Sequence, residues 1–213
     1  MHGSFFSHRL HLAIEGIDGA GKSTAIDNTR QLLEEQGLTV STVHYTQKSG
    51  YIGRIITKTY RPEIQSKIIR QVRDFRPLQA ALYGANGRMN LYARQRRTDI
   101  LLTDRSILSG YASHIGRVPT WLISLVESTH TPNVIAYLDL PIEEAAKRVS
   151  NRENGLIGYE EDIEELRIFS NDYATLIKDP PRRLKDIVIE RVDAMREPSA
   201  IAQSIAKIAL EHL

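Results

Sequence analysis

The sequence predicts a single α/β domain over residues 1–213, with a five-stranded parallel sheet flanked by helices. Two observations lead to this fold class. Five short β-prone runs alternate with longer helical stretches, a pattern typical of βαβ units joined by right-handed crossovers. The length suits one sizeable core, and the content of 41% hydrophobic and 25% charged residues is that of an ordinary globular protein.

The predicted strands are short apolar runs rich in β-branched residues. They cover residues 10–14, 39–45, 100–103, 133–138 and 186–191. The third run ends at Asp104 and the fourth at Asp139.

The predicted helices fill the stretches between and after these strands. They cover residues 24–36, 77–97, 119–127, 142–151, 159–178 and 198–213. Gly37 is suited to end the first helix, and a proline stands at the start of four others. Pro180 and Pro181 end the helix over 159–178. Between Asn151 and Gly158 the periodicity lapses, which predicts a lid segment at about 149–160, although composition alone slightly favours a plain surface connector.

Composition narrows the function classes. The chain has no cysteine, which excludes disulfides, thiol catalysis and cysteine-based zinc sites. Its apolar runs are too short to cross a bilayer, and residues 1–9 lack the apolar core of a signal peptide. The net charge is only +2, so nothing overall calls for nucleic acid. We therefore expect a cytoplasmic protein with no membrane or nucleic-acid partner. Basic residues outnumber acids in 54–105, which favours a phosphorylated substrate.

A glycine-rich loop follows the first predicted strand and precedes the first helix. Its sequence, Gly16-Ile17-Asp18-Gly19-Ala20-Gly21-Lys22-Ser23, has the spacing of a phosphate loop (P-loop). Glycines let backbone N–H groups converge on phosphates, and the helix N-terminus adds partial positive charge. Lys22 is expected to reach the terminal phosphates of ATP, and the Ser23 hydroxyl to bind Mg²⁺. The loop thus predicts a P-loop NTPase fold with ATP and Mg²⁺ as cofactors.

Asp104 and Arg105 end the third predicted strand and should open onto the same crevice, because ligands bind at the carboxyl ends of parallel strands. Asp104 can hold Mg²⁺ or its waters, and Arg105 can grip a phosphate through two parallel hydrogen bonds. A strand-end salt bridge is the simpler alternative.

Arg148 and Arg152 lie four residues apart on the helix that enters the predicted lid, so both project from one side of it. Arginines supplied by a closing segment can stabilise the charge on a transferring phosphoryl group. The alternative is that these arginines form i,i+4 ion pairs with Glu144 and similar acidic residues.

Residues 14–24, Ile14-Glu15-Gly16-Ile17-Asp18-Gly19-Ala20-Gly21-Lys22-Ser23-Thr24, resemble the start of a thymidylate kinase. Three later segments are similar to that family too. Asp104-Arg105 is followed by Ser109 and Ala112; residues 131–141 resemble a strand of the family; and Val192-Asp193-Ala194 is similar to the family's segment beside the adenine pocket. The resemblance spans about residues 10–212 and points to the thymidylate kinase branch of the P-loop nucleoside-monophosphate kinases.

The resemblance implies transfer of the ATP γ-phosphoryl group to the 5′-phosphate of a pyrimidine nucleoside monophosphate, above all dTMP, by a homodimer. The implied catalytic residues are Lys22, Asp104, Arg105, Arg148 and Arg152, with Ser23 and Asp104 as the metal ligands. The implied ATP-binding residues are Gly16, Asp18, Gly19, Ala20, Gly21, Lys22, Ser23, Thr24, Asp193 and Ala194. The implied acceptor-binding residues are Asp18, Lys48, Tyr83, Asn86, Arg88, Arg105 and Ser109.

The acceptor side departs from the family pattern. Gly87 stands where the base-recognising arginine is expected, with Arg88 one position late. Ser106 and Ser113 replace an aromatic residue and a tyrosine, so the acceptor's base and sugar stay open. Gly19 stands where some relatives place a loop arginine; relatives without it use lid arginines.

Two other functions remain open. A deoxynucleoside kinase would need a carboxylate base near the end of the second strand, and residues 44–48 contain none. The second open function is that of a regulatory protein, which would bind nucleotide without productive transfer of a phosphoryl group.

Overall fold

The computed structural model describes residues 8–44, 98–114, 131–151 and 163–213. These residues contain a five-stranded sheet in the order β2-β3-β1-β4-β5, with every neighbouring pair parallel. The strands are β1 (His8–Glu15), β2 (Val40–His44), β3 (Thr98–Asp104), β4 (Val134–Asp139) and β5 (Val188–Asp193). The predicted parallel α/β sheet is thus confirmed, with each strand limit within two residues of its prediction.

Five helices accompany the sheet in the described part of the chain. They are α1 (Lys22–Glu35), α2 (Ile107–His114), α3 (Ile142–Ser150), α4 (Ile163–Lys178) and α5 (Pro198–Glu211), with a 3₁₀ turn at Arg182–Leu184. The predicted helices over 77–97 and 119–127, and residues 152–160 of the predicted lid, lie outside the described residues. The sequence predicted no limits for helix α2. None of the helices described is both long and apolar enough to cross a membrane.

The three inner strands supply the core because helices cover them. Residues 10–15 of β1 and 134–138 of β4 are all buried, as are the last five residues of β3. Such continuous buried and mostly apolar runs are typical of parallel strands covered on both faces. The edge strand β5 is mostly exposed. Helix α1 packs against α5, and α4 packs against α2 and α3.

Helix α1 begins two residues earlier than predicted, inside the glycine loop. Gly21 precedes it in the left-handed conformation (φ 86°), so the chain turns from loop to helix at Lys22. Gly37 ends the helix as expected: it has a φ of 83°, and its N–H donates to Glu34 O at 2.9 Å. The N–H of Leu38 donates to Leu33 O at 3.2 Å, which completes a Schellman motif.

Candidate active site

The sheet brings the carboxyl ends of β1, β2 and β3 together. The chain leaves β1 through the glycine loop and α1, passes over β3 and enters the sheet again as β2. Ile14 of β1 and His44 of β2 are both in register with Asp104, the last residue of β3. This reversal of strand order creates a crevice of the kind in which open α/β sheets bind ligands.

The glycine loop is fixed tightly at two positions. A Cβ atom added at Gly16 would lie 2.9 Å from the carbonyl oxygen of Leu138, and one added at Gly19 would lie 2.6 Å from that of Ala145. Both glycines also have positive φ, 145° and 87°. Only glycine fits these positions, because backbone atoms of the β4 end and of α3 approach too closely for a side chain.

Lys22 is buried within the loop that precedes it. Its ammonium group donates to the carbonyl oxygens of Gly16 and Ile17, both at 3.0 Å, and to Asp18 Oδ1 at 3.2 Å. Burial, and then the positive charge of Arg105, lowers the pKa of Lys22, while Asp18 acts in the opposite direction. The side chain therefore has partners before any phosphate binds.

Asp104 lies at the floor of the crevice, almost fully buried. The Ser23 hydroxyl donates to its Oδ2 at 3.5 Å, and His44 Nε2 lies 3.4 Å from the same oxygen. Burial lowers the pKa of His44, and Asp104 opposes this shift. The other carboxylate oxygen of Asp104, Oδ1, has no hydrogen-bond partner among the residues that the structure describes.

This donor set fits a Mg²⁺ ion. Mg²⁺ prefers oxygen ligands and is commonly held by one or two protein groups together with substrate phosphates and water. A serine hydroxyl beside a carboxylate whose second oxygen lacks a partner meets that need. In the described ranges there is no cluster of three or more histidine or acidic side chains that could hold a metal by themselves. At a site with two protein ligands, phosphates and water would complete the coordination of Mg²⁺.

Arg105 faces the same crevice from the turn after β3. Its backbone is in the left-handed region, with a φ of 69°, and its N–H donates to the carbonyl oxygen of Ile14 at 3.0 Å. Its guanidinium group donates to Asp18 Oδ1, the oxygen that also accepts from Lys22. The structure thus brings together Asp18, Lys22 and Arg105, three of the predicted site residues.

Ser109 is buried, and its hydroxyl donates to Glu15 Oε2 at 2.5 Å. The acceptor-binding role came from its position in the family motif, which carries no information on burial. The hydroxyl group is engaged in the protein interior.

Glu15 was not predicted as a site residue. It ends β1 immediately before the loop and is completely buried. An acidic residue at the end of an apolar strand was the signal available in the sequence. His44 was also missed, because its contact with Asp104 depends on the order of the strands.

Arg148 connects α3 with the segment after β5. Its Nε donates to Glu144 at 3.0 Å, and one terminal nitrogen donates to the carbonyl oxygen of Ala194 at 3.3 Å. The Glu144 pairing that the sequence offered as an alternative is therefore present. The N–H of Ala194 donates to Asp139 O at 3.0 Å, and Asp193 Oδ1 accepts from the N–H of Met195 at 2.9 Å. The turn after β5 is thus held against both β4 and α3.

Several predicted residues cannot be placed. Lys48, Tyr83, Asn86, Arg88 and Arg152 lie outside the described residues. Ala20 and Thr24 lie in the loop and in the first turn of α1, where Ala20 is buried and Thr24 is exposed. The ATP side of the candidate site is therefore described in far more detail than the acceptor side.

The site combines a glycine loop between β1 and α1 with a lysine at the start of that helix and an aspartate at the end of the neighbouring strand. These features define a P-loop nucleotide-binding protein equipped for phosphoryl transfer. A family model described as Thymidylate kinase matches residues 14–205. The chain belongs to the thymidylate kinase family.

Curated relatives match nearly the whole chain. A probable thymidylate kinase from Methanosphaera stadtmanae is 27% identical over 212 residues, covering 96% of this chain and 99% of the relative. One from Methanopyrus kandleri is 31% identical over 198 residues, covering 83% and 93%. One from Staphylothermus marinus is 29% identical over 208 residues, covering 95% of both chains.

Proposed function

We propose that this protein transfers the γ-phosphoryl group of ATP to the 5′-phosphate of dTMP, giving dTDP and ADP. The observation that carries the proposal is the convergence of Lys22, Asp104 and Arg105 on one crevice beside the glycine loop. Membership of the thymidylate kinase family supports dTMP as the acceptor.

The residues divide the work between the two substrates. The loop N–H groups and Lys22 bind the ATP phosphates, and Arg105 binds the acceptor phosphate as a bidentate donor. Asp18 lies between the two cations, which suits contact with the acceptor's sugar hydroxyl. The acceptor is already an anion, so the reaction needs positioning and charge neutralisation rather than a general base.

Ser23 and Asp104 would hold Mg²⁺, which is supported by Asp104 Oδ1, an oxygen without a hydrogen-bond partner in the described part of the chain. When bound, Mg²⁺ neutralises the charge that develops on the phosphate oxygens. Arg148, beside Ala194, belongs in this proposal to the nucleotide side of the site, and Arg152 to the lid.

The direct test is a screen of nucleoside monophosphates, ribo and deoxy, with thymidine as a further acceptor. ADP release by the full chain with ATP and Mg²⁺ is expected to rise well above background with dTMP. Turnover with thymidine but not dTMP would instead identify a deoxynucleoside kinase. ATP binding without turnover on any nucleotide would support a regulatory role and overturn the proposal.

Lys22→Ala tests the ATP side of the same proposal. We expect it to weaken ATP binding strongly and to lower turnover by about 10²- to 10³-fold, the size seen when one charge-stabilising group is lost. Lys207→Ala is the matched control, because Lys207 lies on α5 with 77% of its side chain exposed. Equal activities of the two variants would contradict the role of Lys22.

We also propose that the protein is a cytoplasmic homodimer with a single domain. The family match over residues 14–205 supports one domain, and the family resemblance supports the dimer. Light scattering on the purified chain measures the oligomeric state directly. A monomer at the concentrations used in the activity assay would refute the homodimer.

A further inference from the structure

Glu15 carries a buried carboxylate with five hydrogen-bond donors around it. Its Oε1 accepts from the N–H of Ser106 at 2.7 Å, from the Ser106 hydroxyl at 2.7 Å and from the N–H of Ser109 at 3.2 Å. Its Oε2 accepts from the Ser109 hydroxyl at 2.5 Å and from the Tyr173 hydroxyl at 2.9 Å. All five groups can donate, which suits an ionised carboxylate because it can only accept.

This carboxylate caps a helix from a neighbouring strand. Ser106 is the residue before α2, and its hydroxyl oxygen accepts from the N–H of Leu108 at 3.2 Å. Glu15 binds the N–H groups at the start of the same helix. A capping-box glutamate does this from within its own helix, and negative charge there is favourable because of the helix dipole. The helix N-terminus therefore stabilises the buried charge, and no ion pair involves Glu15 within the described ranges.

The same contacts fix the backbone on both sides of Arg105. The left-handed conformation of Arg105 is unfavourable for a residue with a side chain and needs support from its surroundings. The N–H of Arg105 is bound by Ile14 O, and the next N–H, that of Ser106, is bound by Glu15. Two consecutive residues of β1 thus set the direction in which the Arg105 side chain leaves the chain.

We propose that Glu15 is a positioning residue that holds Arg105 in place for the acceptor phosphate, and that Tyr173 couples helix α4 to this arrangement. The proposal rests on the function proposed above, in which Arg105 binds that phosphate. Burial raises the pKa of Tyr173 well above its ordinary value, and the nearby Glu15 raises it further, so the phenol stays protonated and able to donate.

The decisive variant is Tyr173→Phe, with Tyr137→Phe as its matched control. Tyr137 is also buried, and its ring centroid lies 5.3 Å from that of Tyr173, but it makes no hydrogen bond to Glu15. Tyr173→Phe should raise KM for dTMP about 3- to 10-fold, since a hydrogen bond to a charged group is lost, and leave KM for ATP within about twofold. Tyr137→Phe should leave both KM values unchanged.

Glu15→Gln is the stronger perturbation. It replaces an acceptor by an amide that also carries hydrogens, so dTMP binding should weaken more than in Tyr173→Phe. If this variant does not fold, Tyr173→Phe still decides. Equal dTMP KM values for the two tyrosine variants, or a parallel rise of the KM values for dTMP and ATP, would show a merely structural role and overturn the proposal.

Amide hydrogen exchange separates this proposal from the proposed function. In Tyr173→Phe the N–H groups of Ser106 and Ser109 should exchange faster than in the unaltered protein, while that of Thr29 in α1 should not change. Absence of kinase activity with every nucleotide would refute the proposed function, but the exchange rates would still test the positioning role of Glu15. Unchanged exchange at Ser106 and Ser109 would overturn that positioning role.

Discussion

Substitution of Gly19 by alanine is a sharp test of the packing around the phosphate loop. Position 19 combines two constraints, a φ of 87° and a backbone oxygen, that of Ala145, 2.6 Å from any Cβ atom placed there. Gly37 shares only the first constraint: its φ is 83°, and nothing lies within 4 Å of an added Cβ atom. The pair Gly19→Ala and Gly37→Ala therefore separates close contact from backbone conformation.

The expected magnitudes follow from these two constraints. The left-handed conformation costs about 1–2 kcal/mol for a residue with a side chain, partly offset because alanine restricts the unfolded chain. Gly37→Ala should therefore lower the free energy of unfolding by about 1 kcal/mol. Overpacking against backbone costs about 1–3 kcal/mol more, which gives about 2–4 kcal/mol for Gly19→Ala. For a chain of this size, each kcal/mol corresponds to a Tm change of about 2–4 °C.

The assay is urea unfolding of both variants at one pH, with ATP binding measured in parallel. Gly19→Ala should also weaken ATP binding, because helix α3 or the loop must shift to admit the methyl group. If both variants lose the same stability, within about 0.5 kcal/mol, the close contact with Ala145 is not real. The same contact means that no side chain fits at this position unless α3 moves.

Three further predictions concern single side chains. Asp104→Asn should lower kcat by about 10²-fold and raise the Mg²⁺ concentration for half-maximal rate, as seen in a Mg²⁺ titration; an unchanged Mg²⁺ dependence would contradict its role as a ligand. Arg148→Ala should raise KM for ATP about 3- to 10-fold. The stability should change little, because the contacts of Arg148 with Glu144 and Ala194 are partly exposed. An ATP KM equal to that of the unaltered protein would refute a role of Arg148 in nucleotide binding. Burial raises the pKa of Tyr137 to about 12, above the value near 10 in the unfolded chain. The contribution of Tyr137 to stability is therefore complete below pH 10 and is lost as the pH rises towards 12. Between pH 9 and pH 11, Tyr137→Phe should therefore lose about 1 kcal/mol less than the unaltered protein in urea unfolding, and identical losses would refute this.

The parts of the fold that depend on local sequence were predictable. Strands β1 and β4 are apolar runs, and Gly37 ends α1 through a glycine conformation that the sequence suggests directly. The glycine loop was also predictable, because its function requires a fixed spacing. The limits of helix α2 were not predicted, and part of its N-terminal stabilisation comes from Glu15, 91 residues away from Ser106. No local pattern carries a cap of that kind.

Site residues that belong to a sequence motif could be predicted. Contacts that form only because the sheet brings distant residues together could not. Asp104 and Arg105 could be placed at a strand end, and the structure brings them to the loop as expected. The contact of His44 with Asp104 depends on β2 pairing with β3, which strand order alone decides. The buried hydroxyl group of Ser109 contacts the hydroxyl group of a tyrosine 64 residues further along the chain.

The contacts of Lys22 have a consequence for nucleotide affinity. Two carbonyl oxygens and the Asp18 carboxylate occupy its three hydrogens, so the loop competes with ATP for its own lysine. Since Asp18 also holds Arg105, one carboxylate stands in for a phosphate group between the two cations. Substrate binding therefore replaces existing contacts of Lys22 and Arg105 by contacts to phosphates, and its free energy is the difference between the two sets of contacts.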